Sequence, residues 1–118
     1  MTGRDDWRTD EVDELMNAIL GLGSVEEAES FFRDLCTLGE LRDMAQRWAV
    51  VRLLAAGMHY AEISRRTGAS TATITRIASW LHHGEGGYQM MLERLGPKAP
   101  APAAAGATKP TPPNPSTT

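Results

Sequence analysis

A single cysteine, Cys36, stands among 118 residues, so no intramolecular disulfide can close and no pair of thiolates is available for a metal. Lying at the end of an apolar helical stretch, it reads as a small core residue. No apolar run approaches the roughly 20 residues needed to cross a bilayer. The polar, acidic start MTGRDDWRTDE has no hydrophobic signal segment. These absences point to a cytoplasmic protein with no membrane partner. Nothing alternates at period two, so no sheet is expected. There is no His-Glu-x-x-His, no glycine-rich phosphate loop and no Ser-His-Asp set, so the chain does not read as an enzyme and implies no cofactor. The histidines are His59, His82 and His83; the adjacent pair should point apart at a helix end, a poor metal geometry.

Branched aliphatic and aromatic side chains vanish from Pro97 onward, where Pro, Ala and Thr dominate. Such a segment cannot bury enough apolar surface to offset its ordering entropy, so 97–118 reads as a disordered tail and 1–8 as a flexible N-terminus. The folding unit is then 9–96, small for one core, and chains of this kind often gain burial by dimerising. A positive net charge is also missing: the whole chain carries −3. That average hides an asymmetry. Residues 1–41 hold three arginines against eleven acids, whereas 42–82 hold Arg42, Arg47, Arg52, Arg65, Arg66 and Arg76 against only Asp43 and Glu62. Nucleic acid responds to the local field, so a positive middle on an acidic chain is compatible with phosphate binding. The paired acids Asp5-Asp6, Asp10-Glu11, Asp13-Glu14 and Glu26-Glu27 fall in first turns of helices, where the dipole favours them without any catalytic role.

What is present is helical. After Thr9 or Asp10 as N-cap, Val12, Leu15, Met16, Ile19 and Leu20 recur at spacings of three and four until Gly21. Ser24-Val-Glu-Glu27 is a capping box opening a second helix with Ala28, Phe31, Phe32 and Leu35 on one face. Thr37-Leu-Gly-Glu40 repeats it and opens a long third helix. There the apolar stripe is Leu41, Met44, Ala45, Trp48, Val51 and Ala55, widened by Val50 and Leu54 and ended by Gly57. A short helix from Tyr60 to Thr67 follows, then a Gly68-Ala69 turn, then a helix N-capped by Ser70 and spanning 70–82. Gly84, Gly86 and Gly87 break it before a last helix, Tyr88 to Leu95.

The segment around Gly68 carries the functional signal. A helix-turn-helix requires a small residue at the turn and inward-facing apolar residues that set the crossing. Ile63 faces inward, Gly68 supplies the reversal five residues later, Ala69 fills the turn, and Ile74, Ile77, Ala78 and Leu81 pack the second helix back. Thr71, Ala72, Thr75, Arg76 and Ser79 then lie on the other side, and with Ser70 and Thr73 of the first turn they are the expected DNA-binding residues of this helix. Short side chains let a helix approach base edges; methyls suit thymine, hydroxyls bond base edges directly or through water, and Arg76 suits a phosphate. The free amides at Ser70 favour a backbone phosphate, and Arg65 and Arg66 would reach the flanking backbone.

The stretch Thr37-Leu-Gly-Glu40 through Leu81 resembles the Trp repressor family. The strongest part is Ala72-Thr-Ile-Thr-Arg76, preceded by Gly68-Ala69, Gln46-Arg47 and the Leu53-Leu54-Ala-Ala-Gly57 helix end. Gly86-Gly87-Tyr88 and Leu92-Glu-Arg-Leu95 are similar to its YerC/YecD branch. The resemblance implies an all-α, intertwined homodimer whose N-terminal helices interlock. Its recognition helices would enter successive major grooves of double-stranded DNA about 34 Å apart. In the tryptophan-binding member two arginines sandwich the indole and a threonine helps hold the carboxylate; Arg47, Arg76 and Thr37 match those positions. The glycine that leaves room for the ring is Ile77 here, and a small serine three residues on is Trp80. The resemblance therefore implies a vestigial effector pocket at Thr37, Arg47, Arg76, Ile77 and Trp80, filled by side chains.

The expectation is a sequence-specific DNA-binding transcriptional regulator, a repressor associated with the nucleoid, that works without tryptophan as corepressor. Two alternatives stand beside it: a repressor answering to an amino acid or other small-molecule effector, and a helical dimeric adaptor whose acidic helices bind a basic protein. Trp48 is expected in the core or dimer interface.

Overall fold

Side-chain caps at Thr9, Ser24, Thr37 and Ser70 start four of the six helices among the described residues. The computed structural model describes residues 7–96, and the expected tail at 97–118 and most of the expected N-terminal segment lie outside them. Thr9 caps α1 (Asp10–Leu20) by accepting from the Val12 amide at 3.1 Å. Ser24 caps α2 (Val25–Leu35), its hydroxyl accepting from the Glu27 amide while the Glu27 carboxylate accepts from Gly23. Thr37 and Glu40 exchange reciprocal bonds of 2.9 and 3.0 Å at the start of α3 (Leu38–Ala55). α4 (Tyr60–Thr67) and α5 (Thr71–His83) flank a tight turn, and α6 (Gly87–Leu95) closes the described chain. Among the described residues there is no strand, and no helix is long and apolar enough to cross a membrane.

The helices fall into two compact units, the first ending at Arg42 and the second beginning at Asp43, within α3. In the first unit neither α1 nor α2 contains a buried residue. Val12, Leu15, Ile19, Phe31 and Phe32 are half-buried, and the two phenylalanine rings meet edge to face with centroids 5.5 Å apart. Met16, Leu20, Val25, Leu35 and Leu38 face solvent, although periodicity places Met16, Leu20 and Leu35 on apolar faces. Eleven-residue helices are marginal without tertiary burial, so these faces are incompletely covered in a lone chain.

The second unit holds the core: Val50, Val51, Leu53, Ile63, Ala69, Ile74, Ile77 and Leu81, with Trp48, Leu54, Met58, Tyr88 and Leu92 packed against it. The buried face of α3 differs from the expected stripe. Val50, Val51 and Leu53 are buried, whereas Met44, Ala45 and Ala55 are exposed. The last turns of this helix are apolar on several sides, so periodicity alone does not select a face; contact with the isoleucines of α4 and α5 does. Trp48 is half-buried and stacks obliquely on Tyr88, centroids 6.3 Å apart. α5 also runs one residue further than expected, to His83.

Ile63, Ile74 and Ile77 are the largest wholly buried side chains along with two valines. Ile74→Ala is expected to lower the unfolding free energy by about 2–5 kcal/mol, because the lost contacts leave a cavity. Met90→Ala, on an exposed side chain, should stay within about 0.5 kcal/mol of the parent. Urea titrations at one protein concentration measure both.

Candidate nucleic-acid interface

The turn between α4 and α5 is built from a few bonds. Gly68 adopts φ 80°, ψ 0°, a left-handed conformation in which any Cβ is strained, and its amide donates to the Ser64 carbonyl at 2.8 Å. The Thr67 hydroxyl donates to the Ile63 carbonyl at 2.8 Å and accepts from the Ala69 amide at 3.1 Å. Gln46, on α3, donates its side-chain amide to the Thr67 carbonyl at 3.0 Å and so ties the turn to the long helix. Ala69 is buried at the corner. Sequence reading missed Thr67 and Gln46 as turn-setting residues; the second is twenty-one positions away, and no local pattern announces such a pair.

α5 leaves this turn with Ser70 as N-cap, its hydroxyl accepting from the Thr73 amide at 3.1 Å. Ile74, Ile77, Ala78 and Leu81 are buried; Thr71, Ala72, Thr75, Arg76 and Ser79 are all exposed on the opposite side. Among the described residues, the hydroxyls of Thr71, Thr75 and Ser79 make no side-chain hydrogen bond, so their polar capacity faces outward. Ser70 and Thr73 differ: Ser70 also donates to the Thr73 hydroxyl at 3.0 Å, and Arg76 donates to that same oxygen at 3.3 Å. Thr73 is half-buried, and its hydroxyl orients Arg76 within the helix.

Arg65 and Arg66 are exposed on α4, and both engage one carboxylate. Glu62 accepts from Arg65 through both oxygens, and from the Arg66 Nε at 3.2 Å. The Arg65 guanidinium, with Arg66 beside it, holds the Glu62 carboxyl below its usual range, and the same contact raises Arg65. Sequence reading counts Glu62 only as a charge and misses its pairing, although its spacing of three and four to the two arginines is the pattern that pairs side chains on a helix.

The residues of the expected effector pocket are Thr37, Arg47, Arg76, Ile77 and Trp80. The Thr37 hydroxyl is engaged in capping α3. Arg47 and Arg76 are exposed. Ile77 is 1% exposed within the core, whereas Trp80 is 50% exposed. Trp80 lines an open cleft of about 770 Å³ together with Trp48, Tyr88, Met90, Met91 and His83. The rings of His82 and His83 lie edge to face, centroids 6.3 Å apart, rather than pointing apart, because both occupy the final turn of α5. No group of three or more metal-binding side chains occurs among the described residues.

The chain is similar to known proteins along most of its described length. The family model described as Trp repressor protein matches residues 10–96. The uncharacterised protein YerC of Bacillus subtilis is 46% identical over 91 residues, covering 77% of this chain and 88% of YerC. A crystal structure of a TrpR-like protein from Eubacterium eligens superposes with a TM-score of 0.76 at 41% identity, covering 78% of this chain and 95% of that one. A structure from Staphylococcus aureus, described as a proposed Trp repressor, gives 0.74 at 40% identity, covering 80% and 95%.

Removing the cap tests how α5 is seated. Ser70→Ala should lower stability by about 0.5–2 kcal/mol through loss of the bond to the Thr73 amide. Thermal unfolding followed by circular dichroism, against Ser79→Ala as an exposed reference expected near zero, measures it.

Proposed function

This chain belongs to the Trp repressor family, and on that premise we propose that it is a sequence-specific DNA-binding transcriptional regulator acting as a homodimer. The observation that carries the reading is the division of α5: a wholly buried isoleucine stripe on one side and, opposite, an exposed face of Thr71, Ala72, Thr75, Arg76 and Ser79. A helix held so rigidly, with short side chains outward, suits the major groove, where methyl and hydroxyl groups discriminate base edges. Arg76, steadied by Thr73, suits a backbone phosphate, and Arg65 and Arg66 the flanking strand. Ser70 and Thr73 hold α5 and orient Arg76. The uncovered apolar side chains of α1 and α2 support dimerisation, since burial against a second copy supplies what a small chain lacks. The division of α5 favours the regulator over an adaptor, and binding that survives loss of Arg65, Arg66 and Arg76 would instead favour the adaptor. The regulator acts on the nucleoid as a repressor.

In this reading tryptophan is not a corepressor. Ile77 occupies the position at which the resemblance places space for an indole, and its side chain is committed to the core beside Ile63 and Ile74. An effector-responsive form of the same regulator has one observation in its favour, the open aromatic cleft beside Trp80. Calorimetric titration with L-tryptophan tests the corepressor role. No heat of micromolar binding is expected, and micromolar binding would return the corepressor role to this site.

Selection of bound fragments from random duplexes identifies the operator, and binding to it then tests the face. Arg76→Ala should weaken binding to every duplex and reduce the slope of log K against log salt by about 0.9, the contribution of one phosphate. Thr75→Ala should change preference at one base position by about 1 kcal/mol with little effect on random DNA. Equal losses on all sequences would remove Thr75 from base reading. A protein that ignores duplexes at low ionic strength would overturn the function itself.

A further inference from the structure

One acid interrupts the positive surface of α4. Within 42–82, six arginines stand against Asp43 and Glu62, and Glu62 is the one bonded to two of those arginines. The cluster is well exposed, with side-chain accessibilities of 71% for Arg65, 48% for Arg66 and 34% for Glu62. Exposed pairs of this kind contribute little to stability. Their geometry bears more directly on binding. Arg65 presents its Nε and one terminal nitrogen to the two Glu62 oxygens, the same two-pronged edge with which a guanidinium holds a phosphate. Arg66 gives Glu62 only its Nε. A phosphate approaching Arg65 therefore competes with a carboxylate already seated in the fork, and two cations with one anion present a single net positive charge.

We propose that Glu62 restrains the sequence-independent affinity of this protein for the DNA backbone, by holding Arg65 and Arg66 in a charge-compensated cluster that exposes about one cation where two are encoded. This rests on the DNA-binding reading above. The consequence follows either way the cluster responds to DNA. If the carboxylate stays in the fork, one phosphate fewer is neutralised. If it is displaced, an unpaired carboxylate faces the polyanion. In both cases Glu62 subtracts from counterion release, the main source of non-specific affinity, and it does so equally on every sequence because the strand backbone carries no base information. A regulator with this restraint spends less of its time on random DNA while its base contacts, on α5, are untouched.

The test uses the full chain and the single variant Glu62→Gln, which keeps the side chain's length and hydrogen-bonding capacity but removes its charge. Affinity is measured by fluorescence anisotropy on a duplex of random sequence and on a selected operator, over a series of salt concentrations. The variant is expected to bind both duplexes roughly three- to tenfold more tightly at about 50 mM salt, with a salt slope steeper by about 0.9, as for one further neutralised phosphate. The ratio between the two duplexes should not change. The gain should vanish when Glu62→Gln is placed in an Arg65→Gln/Arg66→Gln background. Unchanged or weaker binding by Glu62→Gln, or a gain of equal size without the two arginines, would overturn the proposal. The failure of the underlying reading looks different: the parent protein itself would then bind neither duplex at low salt, and both inferences would fall together.

Discussion

The rotation of α5 about its own axis is the constraint on which the rest of the structure depends. Ile74, Ile77 and Leu81 lock one side of this helix against Ile63 and the valines of α3, and Ala78 is buried on the same side. Burying one such side chain contributes about 1.5–3 kcal/mol. Turning the helix by a single residue position, about 100°, would bring isoleucines to water and drive threonines and an arginine into an apolar core, where unpaired polar groups are heavily penalised. Everything on the far side of α5 is outward by necessity. The face that reads as functional is thus the complement of the packing.

Rotation alone does not direct a helix; its entry does. Three groups settle where α5 begins: the left-handed Gly68, the Thr67 hydroxyl bonded on both sides of the turn, and the Gln46 amide that clasps the turn from α3. Ser70 and Thr73 then bind each other and steady Arg76. The hydroxyls of this region therefore divide by task. Those of Thr67, Ser70 and Thr73 are spent on internal bonds that fix geometry, while those of Thr71, Thr75 and Ser79 face outward. Pre-set side chains of the first kind reduce the ordering that docking must still impose, which is how rigid scaffolds favour specific binding.

How much of this was legible in the sequence depended on the range of the interaction. Caps at Thr9, Ser24, Thr37 and Ser70 are written in adjacent residues, so helix starts could be placed closely. The buried stripe of α5 was also legible, because its apolar residues sit between small polar ones and the period is unambiguous. α3 was not: with Val50, Val51, Leu53 and Leu54 in succession, several faces are apolar, and only the position of α4 and α5 chooses among them. The clasp from Gln46 to Thr67 could not be seen for the same reason, being a contact between distant segments. Glu62 is another kind of miss. Its spacing to Arg65 and Arg66 was visible, but counting charges by segment treated two arginines as two free cations, whereas the geometry gives them one carboxylate to share.

Ile77 joins the packing to the question of effectors. The resemblance to the Trp repressor family places room for a ligand ring at the position that Ile77 holds. Here the corresponding position is a β-branched side chain that lies 1% exposed among Ile63, Ile74 and the α3 valines. It completes that packing itself. Trp80, three residues on, is half exposed and lines the cleft with Tyr88 and Met91, so it has no equivalent part in fixing the helix. Ile77 and Trp80 are therefore not equivalent. Ile77 fixes α5 in the core, whereas Trp80 lines the cleft beside α6.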